Sequence, residues 1–158
     1  GGLWLFVGFT QSPERLPESK ELKVQSIRRF PSYDIAILKV EGRGFQKATL
    51  AKPESFKKTQ PIIAFGTPFG LAEHVSVGRI SRLPEKPLVT DSAEVKRFKE
   101  LIALDVRLNP GNSGGPSINL NGEVVGVNTK ILTAHVGSGI PLAIPSSVVA
   151  RLVKKVIP

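Results

Sequence analysis

Cysteine and methionine are both absent from this chain of 158 residues, and tryptophan and tyrosine occur once each. Without thiols there is no disulfide framework, no thiolate nucleophile and no cysteine-ligated zinc, while oxidising and reducing compartments both stay open. Without a methionine to start translation, the sequence is expected to begin downstream of its natural start, and any signal segment would have gone with the missing part. No apolar run approaches the roughly 18 residues of a membrane span, and the short apolar opening GGLWLFVGF suits a buried strand. Acidic residues are few, 13 against 22 Lys and Arg, for a net charge of +9. That balance permits anionic partners, but the basic residues are scattered and no nucleic-acid surface is expected.

What remains is globular in character. Hydrophobic residues make up 41% and charged residues 22%, which excludes a disordered chain, and the length fits one domain. Fifteen Gly and 13 Pro punctuate short aliphatic runs, as an all-β fold requires. Strands are expected over Leu3–Thr10, Glu21–Arg29, Asp34–Val40, Gln60–Phe65, Val75–Arg82, Glu100–Leu108, Pro116–Leu120, Glu123–Thr133 and Gly139–Ile144. Asn121-Gly122 predicts a two-residue hairpin turn that pairs the runs on either side. One helix is expected at the end, capped by Ser146 or Ser147. Its Val148, Val149, Leu152, Val153, Val156 and Ile157 share a face, opposite Arg151, Lys154 and Lys155. Pro84–Lys99 reads as a long surface loop.

The densest unusual segment is Asn109-Pro110-Gly111-Asn112-Ser113-Gly114-Gly115-Pro116. Three glycines around one hydroxyl remove side-chain bulk and free backbone N–H groups to face a ligand, as a serine nucleophile needs. Acyl transfer places negative charge on the former carbonyl oxygen, and the Gly111 and Ser113 N–H groups are candidates to receive it. A bare GxSxG is also compatible with a plain glycine-rich turn. The same pattern matches the nucleophile elbow of α/β-hydrolases, but an elbow runs from a strand into a helix, whereas here a strand and an Asn-Gly turn follow.

The full run NPGNSGGPSINLNGEVVGVNT resembles the active-site serine segment of the HtrA/Deg branch of trypsin-like serine endopeptidases. Three other stretches resemble the same family in the same order: DIAILKV at Asp34–Val40, IIAFGTPFGL at Ile62–Leu71 with VGRIS at Val77–Ser81, and GIPLAIPS at Gly139–Ser146. The resemblance implies an all-β, trypsin-like double β-barrel with a C-terminal α-helix. Residues 1–52 are expected to be the remainder of an incomplete first barrel, 53–145 the second barrel and 146–157 the helix, all in one protease domain with no PDZ domain following. It implies Asp34 and Ser113 as catalytic residues and the Gly111 and Ser113 amides as the oxyanion hole. No cofactor or metal is implied.

One part of the pattern is missing. The family's general base is a histidine that precedes the aspartate, and the only histidines here, His74 and His135, both follow Asp34. Each is expected to be a loop or surface residue. LWLFVGF resembles the strand just after the family's histidine segment, so the chain is expected to be N-terminally truncated and, by itself, inactive.

Arg107 stands six residues before Ser113, where relatives that cleave after basic residues keep an aspartate. Leu108, Ile131 and Ile140 are expected to line the first specificity pocket and to favour an aliphatic P1 residue. An extended substrate is expected to add as a strand along Asn128, Lys130 and Ile131. The resemblance implies a serine endopeptidase that hydrolyses unfolded or damaged proteins, with extracytoplasmic placement, either periplasmic or membrane-tethered, and a homotrimer formed through N-terminal segments. The alternative is a non-catalytic peptide-binding pseudoprotease that keeps the cleft without the chemistry.

Overall fold

Each of the nine short apolar runs forms a strand, and the amphipathic tail forms the one α-helix among the described residues. The computed structural model describes residues 3–6, 23–42, 45, 47–66, 74–83, 101–109, 111–132 and 139–156, with backbone only at 3–6, 130 and 132. In chain order the strands are β1 (Leu3–Phe6), β2 (Val24–Phe30), β3 (Ile35–Val40), β4 (Pro61–Gly66), β5 (His74–Arg82), β6 (Ile102–Asp105), β7 (Pro116–Ile118), β8 (Val124–Leu132) and β9 (Ile140–Pro145), followed by α1 (Ser146–Lys154). The expected loop over Pro84–Lys99 lies outside the described residues.

The strands separate into two sheets. β1, β3 and β2 form an open three-stranded sheet in that order, and β4-β5-β6-β9-β8-β7 close into a barrel. Period-2 alternation explains the barrel walls. Ile62 and Ala64 on β4 and Ser76 and Ile80 on β5 point inward, while Val75 and Val77 point out. Ile62, Ile80, Ile102, Leu104 and Val125 fill the interior, and burying an isoleucine of this kind contributes about 1.5–3 kcal/mol. A second core joins the two sheets. Ile35 and Ile37 of β3 pack with Leu101, Val127, Leu142 and Ile144 of the barrel and with Val148, Val149 and Leu152 of α1.

The connection between the sheets is pinned to the barrel rather than hanging from it. Val124 N donates to Thr49 O and Ala51 N to Val124 O. The Ser146 hydroxyl donates to Ala51 O at 2.7 Å. That last bond corrects the expected helix cap. Pro145 occupies the cap position with no side-chain capping bond, and Ser146, 1% exposed, spends its hydroxyl on the connecting strap. The helix face itself is as read, with Val148, Val149 and Leu152 buried and Arg151, Lys154 and Lys155 exposed.

The Asn-Gly turn also differs in detail. β7 and β8 do pair, Ser117 opposite Gly126, but Asn119 N donates to Glu123 O and Gly122 N to Asn119 O. The loop therefore holds three residues, Leu120 to Gly122, with the left-handed position at Gly122 alone (φ 76°). Asn119 Oδ1 accepts from the N–H groups of both Asn121 and Glu123, which favours the longer loop. Among the described residues no helix is long and apolar enough to cross a membrane.

Candidate active site

The glycine-rich segment after β6 folds as a tight turn against β4 and β8. Asn112 N donates to Asn109 O and Gly115 N to Asn112 O, both at 3.0 Å, while Gly114 N donates to Asn128 O at 2.7 Å and Asn128 N to Gly115 O at 2.9 Å. The last two bonds staple the turn to β8. Position 115 has no room for a side chain, because a Cβ there would overlap the Phe65 carbonyl oxygen. Gly111, at φ 103°, adopts a conformation that side-chain-bearing residues rarely take. Neither the Gly111 nor the Ser113 N–H donates to a backbone carbonyl among the described residues.

Ser113 is half-buried at the centre of this turn, and its hydroxyl donates to the main-chain oxygen of Thr129 at 2.5 Å. From the same residue, Thr129 Oγ1 donates to Asp34 Oδ2 at 2.5 Å. Ser113 and Asp34, 79 positions apart in sequence, are thus each one hydrogen bond from Thr129, which brings their side chains within roughly 9 Å of each other. Asp34 comes from the other sheet. It ends the 3₁₀ turn Pro31–Tyr33 with a left-handed backbone (φ 53°, ψ 39°), and its N–H bonds to Pro31 O. That turn aims the exposed carboxylate across the boundary between the sheets.

Beneath the turn lies a buried polar layer. Asn128, 1% exposed, accepts from the Ser117 hydroxyl at 2.6 Å and donates through Nδ2 to Phe65 O at 3.4 Å. Asn112 is equally enclosed, at 2% exposed, and its Oδ1, set against Gly66, has no hydrogen-bond partner among the described residues.

The remaining sequence-derived residues are distributed unevenly. Leu108 is packed in the barrel core with Ile62, Leu104 and Val125. Asn128 has its side chain and both backbone groups engaged in holding the turn, so the cleft-facing edge of β8 begins at Thr129. Lys130 lies on β8 and its side chain lies outside the described residues. Ile131 and Ile140 are 37% and 48% exposed, yet the register sets Ile131 opposite Pro141 and Ile140 opposite Leu132. Residues directly opposite share a face, so Ile131 and Ile140 point to opposite faces of the β8–β9 ladder and do not converge on one pocket.

Of the two histidines, only His74 is among the described residues, and it lies in a strand rather than a loop. His74 opens β5 opposite Gly66, and its Nε2 lies 3.1 Å from the Ser76 hydroxyl; His135 lies outside the described residues. Thr129 is the functional residue that sequence reasoning passed over, although the residues on both sides of it were singled out. The only local signal was a hydroxyl on an otherwise inward-facing strand position.

Comparison with known proteins agrees with this geometry. Residues 7–127 match the family described as trypsin-like peptidase domain. A protein of Ectopseudomonas mendocina named "probable periplasmic serine endoprotease DegP-like" is 40% identical over 139 residues, 87% of this chain and 28% of that protein. A namesake from Pseudomonas fluorescens is 38% identical over 135 residues, 85% of this chain and 27% of that protein. The chain therefore spans less than a third of the length of these relatives. Among solved structures, an HtrA-type protease AlgW with decapeptide superposes with a TM-score of 0.76 at 29% identity, covering 90% of this chain and 42% of the other.

Proposed function

Because this chain belongs to the trypsin-like peptidase family, in its HtrA/DegP-type branch, we propose that it carries the nucleophile-bearing part of a serine endopeptidase that cleaves unfolded or damaged polypeptides. Ser113 is the nucleophile, Asp34 the residue that orients the base, and the Gly111 and Ser113 N–H groups the oxyanion donors. The observation that carries this reading is the line from Ser113 through Thr129 to Asp34.

The chemistry follows from that line. A base placed between Ser113 and Asp34 takes the hydroxyl proton, the Ser113 Oγ–Thr129 hydrogen bond gives way, and Oγ adds to the scissile carbonyl carbon. The electron pair displaced onto oxygen is received by the Gly111 and Ser113 N–H groups. Collapse expels the amine, which takes the proton from the base, and water repeats the sequence to release Ser113. The family's base precedes the aspartate, whereas His74 and His135 both follow Asp34, so on that resemblance the base is assigned to a histidine outside these 158 residues, and the chain alone is expected to be inactive.

Residues 1–158 act as one protease domain in this reading, supported by the core that β3 shares with the barrel and α1. Substrate lies in extended form against β8 from Thr129 to Ile131. An aliphatic P1 residue suits a site with no acidic partner at Arg107. The names of the relatives support an extracytoplasmic, periplasmic setting. Assembly as a homotrimer is part of the same proposal and rests on the family resemblance. The test is hydrolysis of a denatured protein by the polypeptide together with its base-bearing segment. Ser113→Ala is expected to abolish cleavage and spare binding, and cleavage that survives the substitution would overturn the assignment.

A further inference from the structure

The 3₁₀ turn that delivers Asp34 is weakly built. Pro31, Ser32 and Tyr33 include no buried residue, one hydrogen bond of 3.2 Å from Asp34 N to Pro31 O closes it, and Asp34 itself sits in the left-handed region, which aspartate tolerates better than most side-chain-bearing residues but still less readily than glycine. Something outside the turn must hold it. Tyr33 is half-buried against the core that contains Ile35, Ile37, Val148, Val149 and Leu152. The Arg151 guanidinium carbon lies 5.8 Å from the centre of the Tyr33 ring, within the range of a cation–π interaction.

Arg151 is exposed, but the helix that carries it is fixed. Val148 and Val149 are fully buried and Leu152 is 1% exposed, so α1 presents the guanidinium from a fixed base to Tyr33, the residue before Asp34. We propose that Arg151 is a positioning residue: by clamping Tyr33 it holds the turn that aims the Asp34 carboxylate at Thr129 Oγ1. Only the catalytic consequence of this rests on the role proposed for Asp34 above. The clamp gives α1 a mechanical hold on the aspartate, so displacement of the helix reorients the carboxylate.

The test uses the 158-residue chain labelled with ¹³C at the aspartate carboxyls, of which there are three, Asp34, Asp91 and Asp105. Arg151→Leu is expected to move the Asp34 carboxyl resonance and leave that of Asp105 in place. Tyr33→Leu should move it in the same direction, and the double variant less than the sum of the two, since each removes the Arg151–Tyr33 contact. Arg151→Lys and Tyr33→Phe keep a cation and a ring and are expected to hold the Asp34 resonance near its original position. With the base-bearing segment present, Arg151→Leu should lower kcat about 2- to 5-fold at unchanged KM, the scale of one exposed cation–π contact. An Asp34 resonance unmoved by Arg151→Leu, or additive effects in the double variant, overturns the proposal. A moved resonance with unchanged kcat upholds the clamp and counts instead against Asp34 as a catalytic residue.

Discussion

Thr129 Oγ1 and Asp34 Oδ2 lie 2.5 Å apart although 95 positions separate them in sequence. The bond joins the barrel to the open sheet at the point where the nucleophile turn also docks, because the main-chain oxygen of Thr129 receives the Ser113 hydroxyl. One residue thus sets the spacing between nucleophile and carboxylate.

Thr129→Val keeps the volume of a side chain that is 5% exposed and removes only the donor. It is expected to cost about 1 kcal/mol in urea denaturation. With the base-bearing segment present, kcat should fall at least ~10-fold while KM holds, because an unrestrained carboxylate no longer orients the base. Thr129→Ser should recover most of both. Wild-type turnover in Thr129→Val would show that the bond positions nothing.

Gly115→Ala drives a Cβ into the Phe65 carbonyl oxygen, a backbone atom that cannot step aside. A loss of more than about 2 kcal/mol is expected. At Gly122 an added Cβ meets nothing within 4 Å, so Gly122→Ala should cost only the strain of its φ of 76°, about 1 kcal/mol. Equal midpoints for the two variants would contradict the close approach of the nucleophile turn to β4.

Asn128→Leu strands the buried Ser117 hydroxyl, which now donates to Asn128 Oδ1 at 2.6 Å. A cost of about 1–3 kcal/mol is expected. Adding Ser117→Ala should recover part of it, since the orphaned group is then removed. Strict additivity in this cycle would mean that the two side chains are energetically independent.

Local pattern made much of this legible and long-range register the rest illegible. Alternation and turn residues located the strands within a few positions, and the glycine density around Ser113 marked the nucleophile turn without help from the fold. Thr129 left no such mark, because its partner Asp34 is distant in sequence. The opposed faces of Ile131 and Ile140 depend on the register shift between Asn128 and Ile131, which no local pattern encodes. The burial of Leu108 in the barrel core follows from β6 ending at Asp105, earlier than its apolar run suggested. Ser146 was misassigned as a cap for a similar reason, since the acceptor it prefers is Ala51 on a distant strap.

Cleavage preference follows from Arg107 standing at the proposed P1 site where an acidic residue would be needed to pair a basic side chain. Peptide mapping of a digested denatured protein should show cuts after Val, Leu or Ile in preference to Lys or Arg, because a basic side chain would be left without an acidic partner. A majority of cuts after basic residues would remove that part of the account.

The most direct test of the central claim is reaction with a serine-directed fluorophosphonate, followed by mass-spectrometric mapping of the adduct. Together with the base-bearing segment the polypeptide should carry the label at Ser113 and lose it in Ser113→Ala, while the 158-residue chain alone stays essentially unlabelled because nothing activates the alcohol. Labelling at another serine would contradict the assignment of the nucleophile, and equal labelling of Ser113 in both forms would show that His74 or His135 activates it and contradict the assignment of a base outside these residues.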